Sequence, residues 1–279
     1  MTAPIRLAIS TCPNDTFAFH ALVNQLVDWQ GLEFDVQLLD IQQLNDGLFH
    51  HSFDVAKSSF HAALVLADQW YVLPSGSALG FGVGPLLLAA KPNTVPLNES
   101  QVTLCPGQHT TATMLFRLFY PETTTIEHTV FSDIMPSLQN QSADFGVCIH
   151  EGRFTWQQEG LSLVEDLGSR WESTTKQPLP LGGILAHRSL PDNVIRRVQS
   201  VIQDSILCAK SDPESALPTM RRYAQEFNDA VLMQHVDLYV NDWTVELGNV
   251  GQAALNELSC RAKQVGLTKE NASHLNIFE

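Results

Sequence analysis

The stretch Ser10-Thr11-Cys12-Pro13-Asn14-Asp15-Thr16-Phe17 constrains the chain more than any other. An apolar run, Ile5-Arg6-Leu7-Ala8-Ile9, precedes it and reads as a buried strand. Phe17, Ala21, Leu22 and Leu26 follow at the spacing of one helix face. A polar, proline-containing turn therefore joins the carboxyl end of a first strand to a first helix. In open α/β sheets that is where ligands bind. Asn14 and Asp15 are thus candidate ligand contacts. The same residues also suit a purely structural role. Asn14, Asp15 or Thr16 would cap free backbone N–H groups, and Pro13 would stiffen the start of the helix.

The alternation continues along the chain. Phe34, Val36 and Leu38 alternate with Glu33, Asp35 and Gln37, as in a half-exposed strand. Ile41, Leu44 and Leu48 sit at helical spacing, and Phe53 to Ala56 reads as a third strand. Lys57-Ser58-Ser59 then forms a turn before a helix near Phe60 to Ala67. Tyr71 to Leu73 and Leu86 to Ala90 suggest further strands. Two prolines in Lys91-Pro92-Asn93-Thr94-Val95-Pro96 mark a crossing between lobes. A smaller α/β block runs from Val102 to about Ala186, with strands near Gln101–Leu104, Phe145–Ile149 and Gly183–His187. From Pro191 onward the pattern is almost wholly helical. The expected organisation is one lobe built from residues 1–94 and 189–279, a second inserted lobe at 95–188, and a ligand cleft between them.

Composition narrows the class of partner. A formal net charge of −14 over 279 residues argues against nucleic acid and anionic membranes, which need basic patches. It leaves room for a small anionic substrate held by a few local donors. No apolar run approaches the roughly 20 residues of a membrane span. Met1 to Ser10 lacks a basic segment followed by a long apolar run, so no secretory signal is expected. The five cysteines are irregularly spaced with no C-x-x-C pair, which fits reduced thiols in a cytoplasm.

Three further segments carry chemistry or imitate it. Gly80-Phe81-Gly82-Val83-Gly84-Pro85 resembles a nucleotide loop, but a strand-like Leu86-Leu87-Leu88-Ala89 follows where a helix is required. A strand with close backbone approach is the better expectation. Cys105-Pro106-Gly107-Gln108-His109-Thr110-Thr111 follows a strand and opens a helix carrying Leu115, Leu118 and Phe119. Thr110 and Thr111 can hold a carboxylate there through hydroxyls, free N–H groups and the helix dipole, or can serve as an ordinary cap. Gly146-Val147-Cys148-Ile149-His150-Glu151-Gly152-Arg153-Phe154-Thr155 ends a buried strand at His150. A histidine so placed suits a general base or a structural hydrogen bond. His50 and His51 fall at a helix end, and His20, His61, His109 and His128 lack partners at ligand spacing. No H-E-x-x-H motif or Cys/His cluster calls for a metal, and no G-x-S-x-G elbow is present.

Taken in order, these segments resemble the 1,4-dihydroxy-6-naphthoate synthase family of the futalosine route to menaquinone. The matching runs are Cys-Pro-Asn-Asp-Thr-Phe from Cys12, Asp54-Val55-Ala56-Lys57-Ser58-Ser59, Gly80 to Leu86, Pro106-Gly107 with Thr110-Thr111, and Ile149 to Thr155. Tyr239-Val240-Asn241 and Leu247-Gly248 extend the likeness into the helical tail. Trp156 stands where the family has Tyr, and Val83 where Cys is frequent. The resemblance implies a two-lobed α/β fold like type 2 periplasmic binding proteins. It implies a lyase that splits cyclic dehypoxanthinyl futalosine into 1,4-dihydroxy-6-naphthoate and dihydroxyacetone with no metal or redox cofactor. It makes His150 the proton acceptor and places Lys57, Ser58, Ser59, Thr110 and Thr111 against substrate. Two alternatives share the architecture: a non-catalytic small-acid-binding protein, and the related chorismate dehydratase.

Overall fold

A computed structural model describes residues 3–149, 152–224, 228–268 and 272–279. Among them, eleven strands form two sheets. The strands are β1 (Ile5–Ser10), β2 (Phe34–Leu39), β3 (Val55–Ser59), β4 (Trp70–Val72), β5 (Ala78–Gly80), β6 (Leu86–Ala89), β7 (Val102–Cys105), β8 (Thr125–His128), β9 (Phe145–Cys148), β10 (Ser162–Asp166) and β11 (Leu179–His187). The first sheet runs β2-β1-β3-β11-β4, with β5 also paired to β11. The second runs β10-β6-β9-β7-β8.

Parallel pairing of β1 with β2 and β3 brings the carboxyl ends of β1 and β3 to the same edge of the first sheet. β2 is the outer strand, which is why Phe34, Val36 and Leu38 are only half-buried while Asp35 and Gln37 face water. β11 runs antiparallel to β3, β4 and β5. The long helix Asp192–Ser211 covers one face of this sheet, packing Ile195, Val198, Ile202 and Ile206 with Leu7, Ile9 and Ile184. Among the described residues no helix is long and apolar enough to cross a membrane.

Two expectations need correction. The first helix is not continuous to Leu26: it divides into Pro13–Ala18 and His20–Val23, and Leu26 is exposed. The Ser205 hydroxyl explains the break. It donates to the Ala18 carbonyl at 2.8 Å and accepts from the Leu22 N–H at 3.0 Å, replacing the helical bond those two groups would share. The crossings between sheets also lie elsewhere. β6 precedes the Lys91–Pro96 segment yet already belongs to the second sheet, and β11 is back in the first. The chain therefore crosses at 81–85 and again between Asp166 and Leu179, not at 91–96 or after 188. Prolines mark a segment that cannot join a ladder, but they do not say which sheets flank it. One lobe accordingly carries strands from 5–80 and 179–187 with the helical tail, and the inserted lobe carries those from 86–166.

Candidate functional site

A cleft with about 710 Å³ of empty space, including its open mouth, lies against the ends of β1 and β3. Its polar floor comes from the first lobe. Ser10 ends β1, Cys12 precedes the helix, and Pro13 fills the first helical turn. Asp15 turns inward and meets Lys57 Nζ at 2.7 Å, both side chains being almost fully buried. Lys57 also donates to the Gly76 carbonyl at 3.0 Å. The second Asp15 oxygen accepts from Ser10 Oγ at 2.6 Å, and Asn14 Nδ2 donates to the first at 2.9 Å. Asp15 is therefore not a helix cap. Its oxygens are consumed by a buried network, and the residue before the helix, Cys12, makes no side-chain cap bond.

Lys57, Ser58 and Ser59 line the cleft, and they do so as the last residues of β3 rather than as the turn expected of them. The Ser59 N–H donates to Asn45 Oδ1 at 3.1 Å, and its hydroxyl accepts from Asn45 Nδ2 at 3.3 Å. Gly182 of β11 packs against this strand so closely that an added Cβ would lie 2.5 Å from the Ser58 carbonyl oxygen.

The second lobe contributes a helix start. Thr110 caps helix Thr111–Phe119, its hydroxyl accepting from the Thr113 N–H at 3.2 Å. The Thr111 hydroxyl donates to the Leu181 carbonyl at 2.6 Å, across to the first lobe. Both hydroxyls are thus held by protein. The Thr111 and Ala112 N–H groups belong to the first turn, where no intrahelical acceptor exists, and both residues face the cleft. Beneath them His61 Nδ1 lies 3.2 Å from the Thr110 carbonyl, and burial pushes His61 down to about 4. Burial likewise pushes the Cys105 and Cys148 thiols up to about 12, so neither is a nucleophile.

The strand carrying the third motif, β9, ends at Cys148, and Ile149 reaches the cleft wall. His150 and Glu151 lie outside the described residues. Arg153 lies just beyond, in the short helix Gly152–Thr155. It donates to Asp166 Oδ2 at 2.7 Å and also to the Gly84 carbonyl. Asp166 in turn caps helix Leu167–Thr175 through Gly168 and Ser169 N–H groups. The glycine-rich segment is this crossing loop between β5 and β6, not the strand expected of it, although the close backbone approach is present. A Cβ on Gly84 would lie 2.2 Å from the Gly168 Cα, so two backbones touch there. Val83, Gly84 and Pro85, with Ile41, Leu181 and Ile149, form the apolar side of the cleft.

His235 and Tyr239 complete the wall from helix Asp229–Tyr239. Sequence reasoning did not single out His235. Its spacing of four residues from Tyr239 puts both on one helix face, but that signal is shared by any buried helical pair. Among the described residues no three His, Cys, Asp or Glu side chains gather as a metal centre.

Comparison with known proteins follows the same lines. A 1,4-dihydroxy-6-naphthoate synthase from Streptomyces coelicolor is 39% identical over 268 residues, covering 94% of each chain. The enzyme of that name from Thermus thermophilus is 38% identical, covering 94% of this chain and 95% of its own. A crystal structure of a protein from Archaeoglobus fulgidus superposes with a TM-score of 0.89 at 30% identity, over 95% of this chain and 98% of that one. The Escherichia coli periplasmic aliphatic sulphonate binding protein shares the fold at a TM-score of 0.67 and 12% identity, over 98% and 90% of the two chains. The two-lobed fold is that of the periplasmic binding proteins. With residues 5–264 matching its family model, the chain belongs to the menaquinone biosynthesis family.

Proposed function

We propose that this chain is a 1,4-dihydroxy-6-naphthoate synthase. It is a carbon–carbon lyase that converts cyclic dehypoxanthinyl futalosine to 1,4-dihydroxy-6-naphthoate and dihydroxyacetone. The observation that carries this is convergence: Asn14, Asp15, Lys57, Ser59, Thr110 and Thr111, from three separate motifs, line one cleft. The apolar side takes the ring system, and the polar floor takes the sugar-derived fragment. The substrate carboxylate sits at the first turn of helix Thr111–Phe119, within reach of the Ser59 strand end. His150 is the base that starts cleavage, and aromatisation of the naphthoate draws the reaction forward. Closure of the lobes about 81–85 and 167–178 excludes water from the carbanion or enolate. The partner is a small carboxylated molecule, not nucleic acid or a membrane. The setting is a reducing cytoplasm, in keeping with the absence of disulfides among the five cysteines.

The test is turnover of the cyclic futalosine derivative, read by naphthoate absorbance. His150→Ala should fold normally and lose at least about 10²-fold in kcat, the scale of a missing general base. Tight binding of the substrate without product would instead make the chain a binding protein.

A further inference from the structure

The third motif carries a cation, Arg153, that is not among the described residues lining the cleft. Its helix, Gly152–Thr155, is seated on the second lobe. A Cβ on Gly152 would lie 3.4 Å from Met135 Cε and 3.6 Å from Cys148 Cβ. Trp156, just beyond, packs against the cluster that holds Leu86, Leu88 and Leu161. From this seat the guanidinium reaches both crossings at once. It donates to the Gly84 carbonyl in the first crossing, and at 2.7 Å to Asp166 Oδ2 at the start of the second. Gly84 lies between β5 and β6, outside both ladders, so no strand supplies its carbonyl with a donor. Asp166 spends its other oxygen on the Gly168 and Ser169 N–H groups. The planar fork of an arginine suits two acceptors held at fixed positions, and this pair is largely buried.

The two crossings are also tied to each other. The Leu167 N–H donates to the Pro85 carbonyl at 3.0 Å, and the Gly82 N–H donates to Glu172 Oε1 at 2.6 Å. Gly84 and Gly168 touch through their backbones. We infer that Arg153 is a positioning residue of the cleft: it braces both crossings to the second lobe. Val83, Gly84 and Pro85, which belong to the apolar side of the cleft, then move with the second lobe as one piece and keep their place against a bound ring. Without the brace this loop recedes from the ligand while both lobes stay folded. A charge inside the motif thus acts through the backbone of another segment and not by meeting the substrate anion. The effect on substrate binding rests on the lyase reading; the brace itself does not.

Two measurements test the inference, and one needs no turnover. Hydrogen exchange read by peptide mass analysis should show Arg153→Met exchanging at least about tenfold faster in both 81–85 and 167–169, with β1 and β3 unchanged. Faster exchange in one crossing only, or in neither, would overturn the brace. In kinetics with the cyclic futalosine derivative, Arg153→Met should raise KM about tenfold and lower kcat by less than about threefold. A residue that only stabilises its lobe would lower Tm and leave KM where it was, so an unchanged KM refutes the positioning role. Asp166→Asn keeps an oxygen for the Gly168 and Ser169 N–H groups but turns an NH₂ toward Arg153. It should raise KM by a similar factor, and the double variant should be no worse than either single one. Independent, additive increases would count against the inference. Should Arg153→Met fail to fold, Asp166→Asn decides by the exchange of 81–85 and by KM. A parent that forms no naphthoate overturns the lyase reading, and the exchange result then decides the brace.

Discussion

The two walls of the cleft are built on different physics. The first-lobe wall is a buried ion pair wrapped in hydrogen bonds, Ser10 and Asn14 on Asp15, and Gly76 on Lys57. Among the described residues the second-lobe wall has no ion pair lining the cleft: it offers the start of helix Thr111–Phe119 and a close-packed glycine loop. Charges already spent on each other cannot also neutralise a ligand. In the proposed function the first wall therefore orients groups, and the second wall would receive the anion through backbone N–H groups.

The largest effect should come from unbalancing the first wall. Lys57→Met leaves the Asp15 carboxylate buried without its partner, which costs about 3–5 kcal/mol. Adding Asp15→Leu should recover most of that loss, because the desolvation penalty disappears along with the attraction. Urea unfolding of the two variants decides it. A single variant as stable as the parent would mean that the pair is not what holds this wall together.

Next in size is an acid effect at the seam. His61 belongs to helix Phe60–Leu66 of the first lobe, and its ring reaches the Thr110 carbonyl of the second. Burial holds it down at about 4, whereas the unfolded chain takes its proton near 6.5. The unfolded state thus binds more protons between those values. The stabilisation is fully present above pH 6.5 and is lost as the pH falls to about 4, a change of about 3 kcal/mol. The His109 ring, 5.8 Å away, would repel a protonated His61. His61→Gln should flatten the dependence in this window. Parallel slopes for parent and variant would remove His61 as the cause.

A smaller loss should follow Gly84→Ala, about 1–3 kcal/mol, because the added methyl meets the Gly168 backbone rather than a side chain that can turn away. Chemical denaturation measures it. An unperturbed midpoint would mean that the crossing loop is free to shift and that Arg153 does not pin it.

How legible these walls are in the sequence differs for the same reason that they differ in structure. Asn14, Asp15, Lys57 and the Thr pair sit next to strand ends, so a short apolar run followed by polar residues reveals their place. What Asp15 does there was not legible. Its partner Lys57 is 42 residues away, and capping was an equally good use of the side chain until β1 and β3 were seen to be neighbours. The lobe boundaries failed for a related cause. β6 and β11 each look like continuations of the lobe before them, and only ladder pairing assigns them to a sheet. His235 was invisible because nothing local separates a cleft residue from a core residue on a helix.

The smallest effects separate the two threonines. Thr110→Val removes the hydroxyl that caps Thr113, so helix Thr111–Phe119 should lose about 1 kcal/mol. Thr110→Ser keeps an oxygen in place and should restore it. Thr111→Val also removes a hydroxyl, again at about 1 kcal/mol, but that hydroxyl bridges the lobes, donating to the Leu181 carbonyl and accepting from the His61 N–H. Its loss should fall on the closed arrangement, where the ligand is held, more than on either lobe alone. The two variants should therefore melt alike and differ in kinetics, Thr110→Val keeping KM and Thr111→Val raising it several-fold. Equal KM values in the two variants would show that the Thr111–Leu181 bond does not help to close the cleft.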